Sequence, residues 1–293
     1  MLNPSKRTMA KRVQVFCCLA TLCLPGCLRA QPTPPGEIVR RAIENELKDD
    51  SRLHLFTWKE RSNGAHGTKL EQLVSTPNGI IGRTLMIDGK PLSPEQKKQE
   101  DERIAKLLDP EQIRRKQKAQ QEDDERTRKM LAAIPDAFDF MYLGSYVGPN
   151  GHKLTRIKFN ARAGFNPPDR ESMVFTAMQG EMLVDESANR LAKIDGTLFK
   201  EVNFGWGILC RLYRGGRFVV EQSEVTASHW ETTRMILHFE GKALFVKPIH
   251  IDDNEIAWDF HPVPSMTVEQ ARNYLSSQSA PGSQPAQNAM MNH

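Results

Sequence analysis

Residues 172–200 read SMVFTAMQGEMLVDESANRLAKIDGTLFK, and their alternation decides the fold class. Val174, Thr176, Met178, Gly180, Met182 and Val184 share one parity, with Gln179, Glu181 and Asp185 on the other. Ala192, Ile194 and Leu198 alternate in the same way with Lys193, Asp195 and Thr197. Successive side chains of a strand point to opposite faces, so this period marks strands with one face buried and one wet. Between the arms, Asp185-Glu186-Ser187-Ala188-Asn189 supplies short polar side chains that bond their own backbone in a turn. The stretch reads as a long hairpin in mid-sheet.

The same pattern extends in both directions. Downstream, strands are expected at 202–213, 217–226, 230–239, 242–251 and 256–261, with turns at Gly215-Gly216, Glu240-Gly241 and Asp252-Asp253-Asn254. Upstream, 138–147 and 153–161 read as strands, as do 53–61, 68–75 and 79–88, broken by Ser62-Asn63-Gly64 and Pro77-Asn78-Gly79. In 37–47, Ile38, Val39, Ala42, Ile43 and Leu47 recur at helical spacing, with Arg40, Arg41, Glu44 and Asn45 opposite. Many strands, one early helix and no βαβ rhythm predict an α+β fold. Its long antiparallel meander is expected to curl into an unclosed β-barrel around the N-terminal helix.

One segment breaks the pattern. Ser93-Pro94-Glu95-Gln96 carries a helix-capping serine, an early proline and a box glutamine, and Asp109-Pro110-Glu111-Gln112 repeats the signal. From Arg114 to Lys129 almost every residue is charged or Gln, so this helix has no apolar face to bury. Met130, Leu131 and Ile134 dock its far end before Pro135 stops it. Residues 91–135 thus read as a charged helical insertion, a solvated excursion that the sheet does not need. A protein-recruiting arm over 95–133 is the sharper alternative.

The ends have an address of their own. Lys6, Arg7, Lys11 and Arg12 precede a short apolar run and a proline break, the pattern of a secretory signal peptide over 1–30. Cleavage is expected before Gln31 or, with lipidation, at Cys27 within Leu24-Pro25-Gly26-Cys27. A linker at 31–36, a folded domain at 37–275 and a disordered tail at 276–293 complete the division. Without residues 1–30 the chain has 35 bases against 36 acids, which removes the support for nucleic-acid binding. Cys210 is the one cysteine outside the signal and reads as a small buried hydrophobe.

Gly180-Glu181-Met182-Leu183-Val184-Asp185, then Arg190-Leu191-Ala192-Lys193-Ile194, then Gly196 and Leu198, resemble the LolA/LolB lipoprotein-carrier superfamily. Gly215-Gly216-Arg217-Phe218, Trp230 and Gly241-Lys242 suit its outer-membrane-lipoprotein-sorting-like relatives. The resemblance covers 37–262 apart from the insertion, which departs from the carrier pattern. It implies an unclosed barrel whose hydrophobic concavity takes acyl chains or lipoproteins in the periplasm, with anchoring to the outer membrane if Cys27 is lipidated. The same fold also serves as a sensor module in envelope-stress regulators.

The candidate ligand-binding set follows from parity. Ile157, Phe159, Met178, Met182, Val184 and Ile194 face inward, with Leu198, Phe218, Leu237 and Phe239. Trp206, in Phe204-Gly205-Trp206-Gly207, is either a core residue or the mouth of the concavity. His238, His250 and His261 do not have a spacing that demands a metal. No Gly-x-Ser-x-Gly elbow, His-Glu-x-x-His helix or phosphate loop occurs. The expectation is a non-enzymatic binding protein of the envelope without cofactor or metal. The alternative is an envelope interaction or stress-sensor module with a packed interior.

Overall fold

The computed structural model describes residues 33–49, 55–64, 67–107, 109–204, 210–227, 229–244 and 247–277. Residues 1–32, with both processing sites, lie outside the described residues, as does Trp206. The chain is α+β, a long antiparallel sheet packed against helices and left unclosed.

Helix α1 (Pro35–Asp49) leads into β1 (Phe56–Gly64), β2 (Gly67–Thr76), β3 (Gly79–Ile87) and the short β4 (Lys90–Pro91). Helices α2 (Pro94–Lys106) and α3 (Pro110–Ala137) precede β5 (Phe138–Val147) and β6 (Lys153–Ala161). A 3-10 turn at Glu171–Ala177 then opens the hairpin of β7 (Met178–Asp185) and β8 (Arg190–Leu198). After it come β9 (Val202–Phe204), β10 (Cys210–Leu212), β11 (Arg217–Thr226), β12 (His229–Ala243), β13 (Lys247–Pro262) and α4 (Val268–Ser277).

The order across the sheet is β4-β3-β2-β1-β13-β12-β11-β8-β7-β6-β5, with β9 and β10 paired beside β12. The hairpin lies inside the sheet as its alternation predicts. Its turn is built by Asp185, whose Oδ1 accepts from the backbone N–H groups of Ser187 and Ala188, both at 2.9 Å.

Several boundaries differ from the sequence expectation. Val174 and Thr176 are not strand residues: Ser172 and Asp169 exchange side-chain and backbone hydrogen bonds, which tightens the chain into the 3-10 turn. The expected strand 202–213 holds two strands among its described residues, because Phe204 and Cys210 are antiparallel partners. Glu240-Gly241 is not a turn but lies within β12. A Cβ on Gly241 would stand 2.1 Å from the Arg211 carbonyl oxygen, so the glycine admits β10. Asp252-Asp253-Asn254 likewise sits within β13, opposite His238, Leu237 and Ile236.

The largest revision concerns the insertion. Because β1 pairs with β13, β4 and β5 fall at opposite edges of the sheet. The segment between them must cross its width, about 48 Å if laid flat at about 4.8 Å per strand step. The 28 residues of α3 reach about 42 Å at 1.5 Å per residue. Gln117 Nε2 donates to Asn78 Oδ1 at the β2–β3 turn (2.6 Å), and Arg128 donates to the Leu47 carbonyl at the end of α1 (3.1 Å). The helix therefore forms the crossover between the two edges. Its middle is solvated as its composition requires, exposed from Arg114 to Lys129 except for the half-buried Gln117. Pro135 does not stop it: the helix runs on to Ala137, and Arg162 donates to the Pro135 and Phe138 carbonyls at its end.

Helix α2 seals one edge. It opens with the expected capping box between Ser93 and Gln96. Glu100 Oε1 accepts from the Thr84 backbone N–H (2.7 Å), and Arg103 donates to the Gly82 carbonyl (2.6 Å). Two side chains thus take the place of a neighbouring strand along β3.

Replacing 95–133 with a linker of about six residues, which spans about 20 Å, is expected to abolish the cooperative thermal transition. Exchanging the exposed residues 118–126 for an Ala-Glu-Lys sequence of equal length should shift the midpoint by less than a few degrees. Circular dichroism melts compare the two; a folded deletion variant contradicts the crossover role.

Candidate functional site

Register divides the concave face into two halves. Tyr142, Ile157, Met182, Ile194, Val220, Met235, Glu255, Ser62 and Lys69 are successive cross-strand partners from β5 to β2. Directly paired residues share a face, so this single row changes from apolar to polar on reaching β13. A parallel row does the same: Phe159, Gly180, Gly196, Phe218 and Leu237 end on Asp253.

The apolar half is filled. Ile38, Val39, Ala42 and Ile43 of α1 and Ala133, Ile134 and Ala137 of α3 join one core cluster with the sheet. Ile157, Phe159 and Met182 are 0% exposed in it, and Met178, Val184, Ile194 and Leu198 are buried. Phe218 and Phe239 pack against its margin, and Leu237 is half-buried. The parity set therefore does share one face, and the side chains around Met182 meet protein atoms.

A buried ionic group ties α1 to the hairpin. Arg190 Nη1 lies 3.0 Å from Glu46 Oε2 and its Nη2 bonds Asp49, while Glu46 Oε1 accepts from the Leu191 N–H at 3.2 Å. Asn45 adds bonds to the Ala188 and Asn189 carbonyls. Burial holds the Glu46 carboxyl above its ordinary value although Arg190 and the Leu191 N–H pull it down.

The polar half stays open. Between β1, β11, β12 and β13 on one side and the α1 end and α3 on the other lies a cleft of about 560 Å³. Its aromatic wall is Trp58 stacked on Phe260 (centroids 5.9 Å, 9° between planes), with Phe56 edge-on to Phe260, and Trp230 completes the lining. Leu131 and Thr127 bring α3 over it, and the Arg190 group closes one end. Its sheet side carries Glu60 and Glu255, set diagonally because Glu60 opposes Ala257 and Ser62 opposes Glu255. Glu60 accepts from the Trp58 indole at 3.5 Å, and among the described residues neither carboxylate is held in an ion pair.

Burial, then the charge of Glu255, pushes the Glu60 carboxyl above its ordinary value. Burial, then Asp253, does the same to Glu255. Sequence reasoning gave neither a place in a ligand cleft, because Glu60 in Trp-Lys-Glu-Arg and Glu255 after Asp-Asp-Asn resemble solvated strand and turn charges. The one available signal was that both lie on strands of a curled sheet.

The histidines are exposed on late strands. His238 and His250 stand edge-to-face at 6.4 Å, with Asp252 3.4 Å from His238 and Glu240 3.8 Å from His250, while His261 bonds Asp259. Among the described residues no three acidic, histidine or cysteine side chains group as metal ligands. Cys210 is half-buried, and burial raises its thiol.

Fold and cleft together define an unclosed antiparallel α+β half-barrel with one packed and one open half. No protein-family model matches the chain, and no curated protein sequence matches it. Among solved structures it is similar to MucB in the crystal structure of MucB in complex with MucA(peri). That match has 9% identity and a TM-score of 0.23, and covers 79% of this chain and 100% of the other. At that score the likeness carries no part of the functional reading.

Two outcomes are expected. Arg190→Met removes the guanidinium that the buried Glu46 and Asp49 carboxylates share and should cost about 3–5 kcal/mol, read from urea unfolding. The pH response should differ in sign between carboxylates. The stability from Glu60 and Glu255, whose values are raised, is fully present below the ordinary 4.5 and lost as pH rises through the raised values. Burial also acts to raise Glu100, but Arg103 and the Thr84 N–H outweigh it and lower its value. Its contribution is therefore present above 4.5 and lost as pH falls through the lowered value. Thermal melts across pH should show Glu60→Gln above wild type at neutral pH with the gap closing on acidification, and Glu100→Gln below wild type at neutral pH.

Proposed function

We propose that the chain is an exported, non-enzymatic binding protein of the cell envelope whose ligand occupies the open half of the concave face. The observation that carries this reading is the aromatic-walled cleft of about 560 Å³, a volume typical of small-molecule sites. Export is supported by the basic start and short apolar run of residues 1–30. Among the described residues no helix is long and apolar enough to cross a membrane.

Binding rather than catalysis is supported by the state of the polar groups in the cleft. Ser75 Oγ exchanges hydrogen bonds with the Phe56 N–H (2.7 Å) and carbonyl (3.2 Å), so this hydroxyl is engaged by backbone. Arg190 is spent on Glu46 and Asp49. An acyl chain or lipoprotein lipid of the kind the carrier resemblance implies would have its apolar part against Trp58, Phe260 and Trp230, since α1 and α3 already cover Met182.

A neutral solvatochromic dye such as Nile red tests the location. Trp58→Ala is expected to weaken dye binding about tenfold or more, the loss of a large aromatic contact, in a protein that still melts cooperatively. Met182→Glu, which buries a carboxylate in the packed half, should cost several kcal/mol and unfold much of the chain. Dye binding unchanged in a folded Trp58→Ala protein would falsify the cleft as the site.

A further inference from the structure

The cleft also has a charge preference, and this inference rests on the binding role proposed above. Its lining includes the carboxylates of Glu46, Asp49, Glu60, Glu231 and Glu255 and the guanidiniums of Arg190 and Arg234. Of these Glu231, opposite Ser223 and one position out of step with Trp230, belongs by register to the other face of the sheet. Arg190 is taken by Glu46 and Asp49. Arg234 pairs in register with Glu221 and Ile256, one position out of step with Met235 and Glu255, and so belongs to the opposite face of the sheet. In the same cross-strand row, Ser62 stands between Glu255 and Lys69. No ion pair holds Glu60 or Glu255 among the described residues.

Diagonal cross-strand neighbours stand about 7 Å apart, a spacing that one ammonium centre bridges when both side chains lean toward it. Beside them, independent of the acids, is the stacked Trp58–Phe260 pair. Aromatic faces attract cations through their ring quadrupole, and indole does so most strongly. The same rings offer apolar area to a chain or ring carried by the cation. An anionic head, as on a free fatty acid, would meet the carboxylates at close range in a partly desolvated cleft.

We propose that the cleft selects a small cationic amphiphile, a protonated amine or quaternary ammonium seated between Glu60 and Glu255 with its apolar body along Trp58, Phe260 and Trp230. Glu60 and Glu255 are the specificity-determining residues, acting by charge. Trp58 has two parts, one as a donor to Glu60 that aims the carboxylate and one as a π surface.

Isothermal titration of the full chain with octylammonium, 1-octanol and octanoate separates charge from apolar contact at constant chain length. Octylammonium is expected to bind tightest and to weaken as salt is raised. Glu60→Gln with Glu255→Gln should weaken it about tenfold or more, as expected for loss of charge-assisted contacts, and leave octanol unchanged. Both substitutions remove carboxylates that repel one another, so the fold is retained; the wild-type ranking of the three probes decides the matter in any event. If octanol and octanoate bind as well as octylammonium, the charge selection is wrong and the cleft still binds. If none of the three binds, the binding role of the cleft falls with it.

Discussion

The pairing of β1 with β13 is the constraint on which the rest depends. It joins the first and last strands of the sheet in its interior and pushes β4 and β5 to opposite edges. A chain with that connectivity has to carry itself across the concave side between its fourth and fifth strands. Only a long regular element does this without leaving backbone groups unpaired, and α3 is that element. Its charged middle follows from the same requirement. A helix bridging an opening has little to bury against, so its solubility comes from charges paired along its own length, such as Arg115 with Glu111 and Lys129 with Glu125.

The crossing also explains why the concavity is divided. Helix α1 lies on β5, β7 and β8, and the apolar end of α3 meets it there, so one half of the concave face becomes core. Farther along, α3 passes over β11–β13 without an apolar face, and the space beneath is left as a cleft. The junction is the Arg190 group, where the C-terminal turn of α1 brings Glu46 and Asp49 to a cation from the hairpin. Carboxylates at that end of a helix oppose its dipole, and Arg190 is what makes the placement tolerable.

Much of this was legible from local pattern. The alternation of Met178 to Val184 and of Ile194 to Leu198 gives the correct buried face, and Ser93 to Gln96 gives the correct helix start. The class of fold follows from such readings. Long-range pairing does not: nothing in Phe56–Gly64 names Lys247–Pro262 as its neighbour, and the crossover role of α3 is a consequence of that pairing alone. Turn chemistry misled where a polar run serves a strand, as in Asp252-Asp253-Asn254, whose acids face along a sheet rather than around a corner. The cleft was hidden for the same reason. Glu60 and Glu255 are nearly two hundred residues apart, and their carboxylates become neighbours only through the β1–β13 register.

The sealing of β3 by Glu100 and Arg103 has a consequence for assembly. In the vocabulary of polymerisation, a sheet with two open edges is a bifunctional monomer and can propagate. Here α2 occupies the backbone groups of Thr84 and Gly82 and removes that stretch of β3 as a site of addition. The other side, β5, presents Met141, Tyr142, Tyr146 and Val147 to solvent. Addition of a strand is thus open at β5 and blocked along that stretch of β3. Two side chains of one helix thus act as a local stop to strand addition along β3.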